Sequence, residues 1–324
     1  MSVHLINPQN KSVLYFSDGK LIDNDGNIFP IIRGVVRITE AENYTRSFGL
    51  QWNKFDRTQL DSESDGLTLS RDRFFIESGW IPEDLDGIDV LEVGSGAGRF
   101  SKVVLENTKA QLFSVDYSDA VTANFKNNGA IAPDRFHLFQ ASIYAMPFPD
   151  DAFDKVFCFG VLQHTPDFES SVKALISKAK PGGEIVVDFY PIKGFWTKLH
   201  AKYLFRPWTK KLNYERLFNL IDRNIDWLII LSKLFNSIGL SVLTRFLPLV
   251  DLRTIPNEVL SKEQFREWVV LDTFDMFSPE HDHPQKISDV SDMFSCNGVN
   301  VTFKGYVEYG AGFKAAVVRG IKKK

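Results

Sequence analysis

Three glycines that follow an apolar run are the strongest chemical signal in the sequence. Gly94, Gly96 and Gly98 come directly after the run 88–93, Ile-Asp-Val-Leu-Glu-Val. Glycine permits a tight turn and a close approach of the backbone to a ligand, and a helix start presents free amide donors. Asp116 ends the next apolar run, 18 residues beyond Gly98, where a carboxylate can accept both hydroxyls of a ribose. The pattern predicts a nucleoside-binding site.

The residues around this turn bear on which nucleoside it binds. A dinucleotide fingerprint requires its third glycine at position 99, which is Arg99 in this chain. Glu92 stands two residues before the first glycine, where its carboxylate would oppose a pyrophosphate and suit a cationic amino-acid group. A dinucleotide stays open as the alternative, but the spacing favours a nucleoside joined to an amino acid.

Histidines supply the candidate acid–base chemistry. His164 follows a predicted strand, at the sheet edge where parallel sheets bind ligands, and is a candidate general base or acceptor contact. The alternative is a loop histidine that caps the next helix. His281 and His283 lie between the predicted insertion and the returning core, and they are candidates for a base or a substrate contact, with a solvated loop as the alternative. Because an isolated His-x-His lacks other placed ligands, we predict no metal site.

Composition narrows the class of protein. The 324 residues are 44% hydrophobic and 24% charged, with a formal net charge of -3, which is typical of a globular protein and predicts no nucleic-acid partner. Two cysteines exclude a disulfide framework and favour a reducing compartment. The polar start of the chain lacks the features of a signal peptide. We therefore expect a cytoplasmic protein, while oligomeric state stays open.

An alternation of strands and helices must position these residues. Between Ile88 and Tyr190, five apolar runs alternate with helical stretches, which predicts a parallel sheet covered by helices on both faces. After a helix from Lys286 to Cys296, two strands joined by a glycine-containing turn predict an antiparallel hairpin. The fold class is therefore α/β, a doubly wound and mostly parallel sheet.

A long insertion interrupts this rhythm. Residues 193–223 carry eight basic side chains against two acidic ones, interleaved with aromatic residues, which suits phosphate groups or the surface of an anionic membrane. A solvated helical face is the alternative. The basic residues are Lys193, Lys198, Lys202, Arg206, Lys210, Lys211, Arg216 and Arg223. Apolar residues from Leu228 to Val242 recur at three- and four-residue steps and predict one helix with an apolar face.

These patterns divide the chain into four stretches. Residues 1–70 form a β-rich segment and a lead-in to the core. Residues 71–190 form the nucleoside-binding core. Residues 191–283 form a helical lid that sets substrate specificity, and residues 284–324 return to the core as its last helix and strand hairpin.

The core resembles the class I S-adenosylmethionine-dependent methyltransferases, with a bacterial type-11-like domain. The resemblance is carried by five motifs in family order: residues 91–100 (Leu-Glu-Val-Gly-Ser-Gly-Ala-Gly-Arg-Phe), 115–118, 146–154, 161–167 and 180–184. It implies a seven-stranded Rossmann-like sheet with an antiparallel last strand, S-adenosylmethionine as the cofactor, and methyl transfer as the activity.

The resemblance also implies roles for individual residues. Glu92 and the glycines would lie along the methionine part of the cofactor, Asp116 would hold the ribose, and Tyr117 would flank the adenine. Residues 141–143 would sit at the adenine edge, and residues 160–163 near the reacting methyl. The residues assigned to the cofactor are Gln51, Trp52, Glu92, Gly94, Ser95, Gly96, Gly98, Arg99, Asp116, Tyr117, Ser118, Ala141, Ser142, Ile143, Gly160, Val161 and Gln163.

The amino-terminal stretch has resemblances of its own. Residues 21–38 are similar to a zinc ribbon that precedes some of these methyltransferases, but the cysteine pairs are absent, so no zinc is implied. Residues 47–52 resemble the lead-in of bacterial members from surface-polysaccharide pathways. We expect Gln51 and Trp52 to cover the cofactor; the alternative is that Trp52 packs the lead-in onto the sheet.

The expected acceptor is a hydroxyl of a sugar, in a nucleotide-sugar or a surface glycan. This rests on the polysaccharide resemblance and on the basic insertion. Two alternatives stay open. The 28 phenylalanines suit a lipid-like acceptor such as an isoprenoid quinone, and a cofactor-binding module without catalysis is the third possibility. Peripheral contact between the basic insertion and the inner face of a membrane is also open.

Overall fold

A computed structural model describes most of the chain. The described residues are 2–39, 43–61, 68–192, 194, 199–256, 259–310 and 312–324. Three residues of the predicted basic insertion, Lys193, Trp196 and Lys198, lie outside this set.

A small antiparallel sheet opens the chain. Its strands are β1 (Leu5–Ile6), β2 (Val13–Ser17), β3 (Lys20–Asp23) and β4 (Ile28–Phe29). The carboxylate of Asp23 accepts hydrogen bonds from the backbone of Asp25 and Asn27 and from the side chain of Asn7. The turn at 23–27 is therefore closed by polar contacts of Asp23.

A nine-stranded sheet forms the centre of the protein. Its strands, in order across the sheet, are β12 (Val299–Tyr309), β13 (Phe313–Lys322), β11 (Ala179–Phe189), β10 (Phe153–Cys158), β7 (Asp89–Val93), β8 (Gln111–Asp116), β9 (Phe136–Gln140), β6 (Val35–Arg37) and β5 (Ile31–Ile32). The run from β11 to β6 is parallel, whereas β13 is antiparallel to both β11 and β12. This confirms the doubly wound α/β class and the antiparallel hairpin.

The sheet exceeds the predicted seven strands because β6 and β5 extend one edge. Val36 of β6 pairs in parallel with Phe139 of β9. The guanidinium of Arg37, buried at the end of β6, donates to the side chains of Gln140 and Asp119. The second half of the amino-terminal segment is therefore part of the main sheet rather than a separate unit.

Helices cover both faces of this sheet. They are α1 (Arg46–Lys54), α2 (Leu69–Ser78), α3 (Arg99–Asn107), α4 (Val121–Asn128), α5 (Phe168–Lys178) and α9 (Ile287–Cys296). Successive residues of a strand point to opposite faces: Val90 packs into the core beneath α2 and α3, and Leu91 into the core beneath α5 and α9. Phe74 of α2 is fully buried among the rings of Phe75, Trp80 and Phe157.

The insertion is helical, as predicted, but its apolar helix ends early. Its helices are α6 (Ala201–Thr209), α7 (Tyr214–Ser237) and α8 (Lys262–Phe277), with 3-10 turns at Ser241–Phe246 and Leu252–Thr254. The prediction of one helix through Val242 is wrong, because Gly239 adopts a φ of 78° and turns the chain. Val242 is 68% exposed.

The basic insertion is not a uniform charged surface. Lys202 is buried, and its ammonium donates to Asp282 over 2.7 Å. Arg206 is buried too and donates to the backbone carbonyl of Pro279 over 2.8 Å. These two cations hold α6 against the segment after α8. Within the described ranges, no helix is long and apolar enough to cross a bilayer.

Candidate functional site

A cavity of about 760 Å³ opens at the carboxyl ends of the parallel strands. Its wall includes residues that end or follow β7, β8, β10 and β11, among them Gly94, Asp116, Gly160 and Tyr190. This is the edge where open α/β sheets bind ligands. Its volume lies within the usual range for ligand sites.

The predicted glycine turn forms one side of this cavity. Gly94 has a φ of 82° and Gly96 a φ of 52°. A Cβ on Gly94 would lie 2.2 Å from a methyl of Val161, and one on Gly96 would lie 3.3 Å from the indole nitrogen of Trp52. A Cβ on Gly98 would instead collide with the buried amides of Asn124 and Asn128. Gly98 therefore serves packing, whereas Gly94 and Gly96 line the cavity.

Asp116 lies at the tip of β8 beside this turn. One carboxylate oxygen accepts the N–H of Gly96 over 2.8 Å, and the other accepts the N–H of Ser118 over 2.8 Å and its hydroxyl over 2.6 Å. Burial raises the pKa of Asp116, against the opposing effect of these hydrogen bonds. The ring of the next residue, Tyr117, lies 5.3 Å from that of Tyr44, and both line the cavity.

Glu92 lies behind the turn rather than in the cavity wall. Its side chain leaves β7 on the same face as Val90, toward α3, and one carboxylate oxygen accepts hydrogen bonds from the hydroxyls of Ser101 and Ser114. Burial raises the pKa of Glu92 to about 7. The structure therefore places Glu92 where it supports the turn from within the protein.

The lead-in helix α1 covers the turn. Gln51 and Trp52 both line the cavity. The Oε1 atom of Gln51 is buried and has no hydrogen-bond partner in the described part of the chain. A buried amide oxygen without a donor is costly unless a ligand supplies one. Trp52 packs on the glycine turn. In this one position it would both cover a bound cofactor and pack the lead-in onto the core.

The other predicted cofactor residues divide into two groups. Ser95, Arg99, Ala141, Ile143, Gly160 and Val161 line the cavity. Ser118 lies beneath it as a partner of Asp116. Among the described residues that form the cavity wall, Ser142 and Gln163 are absent. The Ser142 hydroxyl accepts the N–H of Tyr144 over 3.3 Å.

His164 lines the cavity with a defined tautomer. Its Nδ1 lies 3.1 Å from the backbone oxygen of His281. A carbonyl oxygen only accepts, so Nδ1 carries the proton and Nε2 carries a lone pair. Nε2 is buried without a partner among the described residues, and burial lowers the pKa of the ring. The rings of Phe48 and Tyr190 lie 5.2 Å and 5.5 Å away.

The rings of His281 and His283 lie elsewhere. They stack on each other and line a separate pocket of about 370 Å³ with Tyr203 and Arg206. The backbone of this segment nevertheless reaches His164 through the His281 carbonyl, and the N–H of His283 donates to the carbonyl of Gln163 over 2.7 Å. The described residues contain no cluster of three or more metal-ligating side chains.

A polar wall of the cavity around Asp272 was not predicted as a group from the sequence. Asp272 of α8 accepts hydrogen bonds from the indole of Trp268 over 3.1 Å and from the amide of Gln59 over 3.2 Å. The Gln59 oxygen in turn accepts from the guanidinium of Arg99 over 3.3 Å. Burial raises the pKa of Asp272 to about 7. All four residues line the cavity.

A second charged group extends this wall. The guanidinium of Arg73 donates to the carboxylates of Glu77 and Asp188, and Asp188 also accepts the N–H of Gly160. Apart from Arg99, which was assigned to the cofactor, the sequence signals for this wall were two helical i, i+4 pairs, Arg73 with Glu77 and Trp268 with Asp272. Neither pair is distinctive, because such spacings also occur on ordinary helix surfaces.

Comparison with known proteins finds a family match within the core. Residues 91–187 match the family model described as a methyltransferase domain. The chain is 33% identical over 113 residues to a tRNA U34 carboxymethyltransferase of Nautilia profundicola, a match that covers 34% of this chain and 37% of that protein. It is 29% identical over 196 residues to the ubiquinone/menaquinone biosynthesis C-methyltransferase of Vibrio campbellii, covering 57% of this chain and 71% of that protein.

Solved structures include similar folds. The magnesium protoporphyrin IX methyltransferase of Synechocystis with bound S-adenosylhomocysteine aligns with a TM-score of 0.48 at 13% identity, over 86% of this chain and 96% of that one. The chain spans little more than a third of the length of the first curated relatives it matches. Residues 91–187 match a methyltransferase domain, the kind of domain that the glycine turn and its companion motifs indicated.

Proposed function

We propose that this protein transfers a methyl group from S-adenosylmethionine to a hydroxyl of a sugar, in a nucleotide-sugar or a surface glycan. One observation carries the proposal. A single cavity is lined both by the glycine turn with Asp116 and by the polar wall around Asp272. Such a cavity suits a nucleoside cofactor and a polar acceptor side by side.

The glycine turn and the residues beside it fit the cofactor. Asp116 keeps lone pairs for the ribose hydroxyls, Tyr117 offers a ring to the adenine, and Gln51 offers its unpaired oxygen to a donor such as an ammonium group. Gly94 and Gly96 let the backbone approach. The cofactor supplies an electrophilic methyl on a cationic sulfur, and α1 with its Trp52 excludes water from the turn.

The polar wall favours a hydroxylated acceptor over an apolar one. The carboxylate of Asp272 and the guanidinium of Arg99 are each held by Gln59. An apolar acceptor pressed against them would remove their water without replacing its hydrogen bonds, which costs about 1–3 kcal/mol per group. Sugar hydroxyls both donate and accept, so they satisfy these groups.

His164 is the proposed general base. The lone pair on Nε2 can take the proton of an acceptor hydroxyl, and the lowered pKa keeps the ring neutral near pH 7. Its Nδ1–H stays bound to the His281 carbonyl and stabilises the imidazolium that forms. Positioned general bases typically contribute about 10²–10⁴-fold in rate.

A lipid-like acceptor such as an isoprenoid quinone is the second candidate. The observation that favours it is the match to the quinone C-methyltransferase, which extends over 196 residues and so beyond the methyltransferase domain. That reaction methylates a carbon atom, and a quinone would make fewer hydrogen bonds to the polar wall than a sugar would.

Methyl-labelled S-adenosylmethionine separates these candidates. The protein is incubated with the label and an extract of its source cells, which is then divided into water-soluble, glycan and organic phases. Label in the sugar or glycan phase supports the proposal, whereas label in the organic phase favours the quinone-like acceptor. Binding of the cofactor without label in any phase favours a module that does not catalyse.

The role of His164 is tested with a matched histidine. His164→Ala is expected to lower turnover by about 10²–10⁴-fold with cofactor affinity unchanged. His281→Ala keeps the backbone carbonyl that contacts His164 and is expected to retain activity. Equal losses in the two variants would contradict the assignment of the base to His164.

A further inference from the structure

We propose that the outer face of α7 and the 3-10 segment after it dock on an anionic lipid surface. Large apolar side chains recur along this face at helical spacing. They form the outer stripe: Leu220 (54% exposed), Trp227 (52%), Ile230 (68%), Leu234 (50%) and Ile238 (57%). Single exposed apolar residues are ordinary, but a row of four from Trp227 to Ile238, continued past Arg223 by Leu220, marks an interaction surface.

The outer stripe is not needed to hold α7 in place. The opposite face of the helix already packs into the hydrophobic core that α7 shares with α8. The residues that do so are Leu217, Ile221, Ile225 and Leu228, which are all buried. A helix with one buried face is ordinarily polar on the other. The apolar outer face of α7 therefore requires a different explanation from folding.

The 3-10 segment Ser241–Phe246 continues the apolar surface. It packs beside α7 and exposes Val242 (68%), Leu243 (40%) and Phe246 (44%). Gly239, at a φ of 78°, turns the chain so that this segment returns along the helix. The carboxyl-terminal half of α7 and this segment together form one apolar end.

Positive charge accompanies the apolar surface at the other end of α7. Lys210, Lys211, Arg216 and Arg223 are exposed, and none has a carboxylate within 4 Å among the described residues. Asp222 and Asp226 share the single guanidinium of Arg266 of α8, and Glu215 is exposed, so the four exposed cations and Arg266 outnumber these three carboxylates by two charges. The surface is thus apolar at one end and cationic at the other.

This charge pattern favours lipid over a second copy of the chain. Two copies joined in parallel through the outer stripe would bring their cations together, and two joined antiparallel would place cations over apolar side chains. Neither arrangement supplies an excess of negative charge, because the second copy carries the same excess of cations. An anionic membrane supplies both an apolar layer for Trp227 and Ile230 and phosphates for Arg216 and Arg223.

Vesicle sedimentation tests the proposal. The full chain is mixed with vesicles of phosphatidylcholine containing about 30% phosphatidylserine, at low and at high salt. We expect binding that weakens with salt. The double variant Ile230→Asp/Leu234→Asp should lose at least tenfold in affinity, and Arg216→Gln/Arg223→Gln about 25-fold at low salt, from about fivefold per cation. The second pair should also flatten the salt dependence.

Controls keep the result interpretable. All four substituted residues are exposed, so the temperature of thermal unfolding should be unchanged. Ile81→Asp removes a similarly exposed apolar residue (55%) that lies outside α7, and it should not affect vesicle binding. Absence of vesicle binding by the unaltered chain, or equal binding by the stripe variants, overturns the proposal. A stripe-dependent dimer in light scattering, without vesicle binding, assigns the surface to a second copy.

Discussion

Replacing Asp116 with asparagine should separate the two roles that its carboxylate has. Both oxygens accept backbone N–H groups, one from Gly96 and the other from Ser118, each over 2.8 Å. An asparagine has only one acceptor oxygen. Whichever way its amide turns, one backbone N–H faces another donor.

The magnitude follows from that count. One unpaired buried N–H costs about 1–3 kcal/mol, so Asp116→Asn should lower the free energy of unfolding by about 2 kcal/mol. Losing a charged acceptor for a ribose hydroxyl should cost about 2 kcal/mol more in binding, or roughly thirtyfold in Kd. Urea unfolding measures the first effect, and calorimetric titration with S-adenosylhomocysteine measures the second.

Asp134→Asn is the matched control, because Asp134 is exposed and should affect neither quantity. Unfolding within about 0.5 kcal/mol of the unaltered protein would refute the argument from the two backbone donors. A folded variant with an unchanged Kd would refute the ribose contact, whatever happens to stability.

Three further predictions concern the turn and its support. Burial raises the pKa of Glu92 from 4.5 to about 7, so between these pH values the folded state keeps a proton on Glu92 that the unfolded state has lost. The free energy of unfolding should therefore fall by about 3 kcal/mol as pH rises from 4.5 to 7. Glu92→Gln should flatten this slope in urea unfolding measured across that pH range. Phe74→Ala should cost about 3–5 kcal/mol in the same assay because the ring is fully buried, while the exposed Phe16→Ala should cost under about 0.5 kcal/mol. Gly94→Ala should abolish cofactor binding in a calorimetric titration, since its Cβ would lie 2.2 Å from Val161; binding within threefold of the unaltered protein would contradict the geometry of the turn.

The parts of the fold that local pattern determines could be predicted from the sequence. Strands β7 and β8 are apolar runs that end in glycine or aspartate, and α3 begins at Arg99, as expected. Both signals are short-range and physically strong. The pairing of β6 with β9 is different, because Val36 and Phe139 are distant in sequence. No pattern in the neighbouring residues of either strand indicates that the two are in contact.

The cofactor side of the site was also more predictable than the acceptor side. Gly96 and Asp116 belong to one strand–helix–strand unit, β7–α3–β8, so their spacing in the sequence indicates that they lie close together. Gln59 and Asp272 meet only because α8 returns across the cavity. Glu92 shows a further limit: its position was predictable, but the direction of its side chain depends on Ser101 and Ser114.

The position of β13 in the sheet has a consequence for synthesis of the chain. This strand is the last along the sequence, yet it lies between β11 and β12 and pairs with both. Until the ribosome has delivered it, β11 presents an open edge to the crowded surroundings of a nascent polypeptide. Open edges recruit other strands, so a pause or a premature stop before Phe313 would leave a chain with a complete glycine turn and a strong tendency to aggregate.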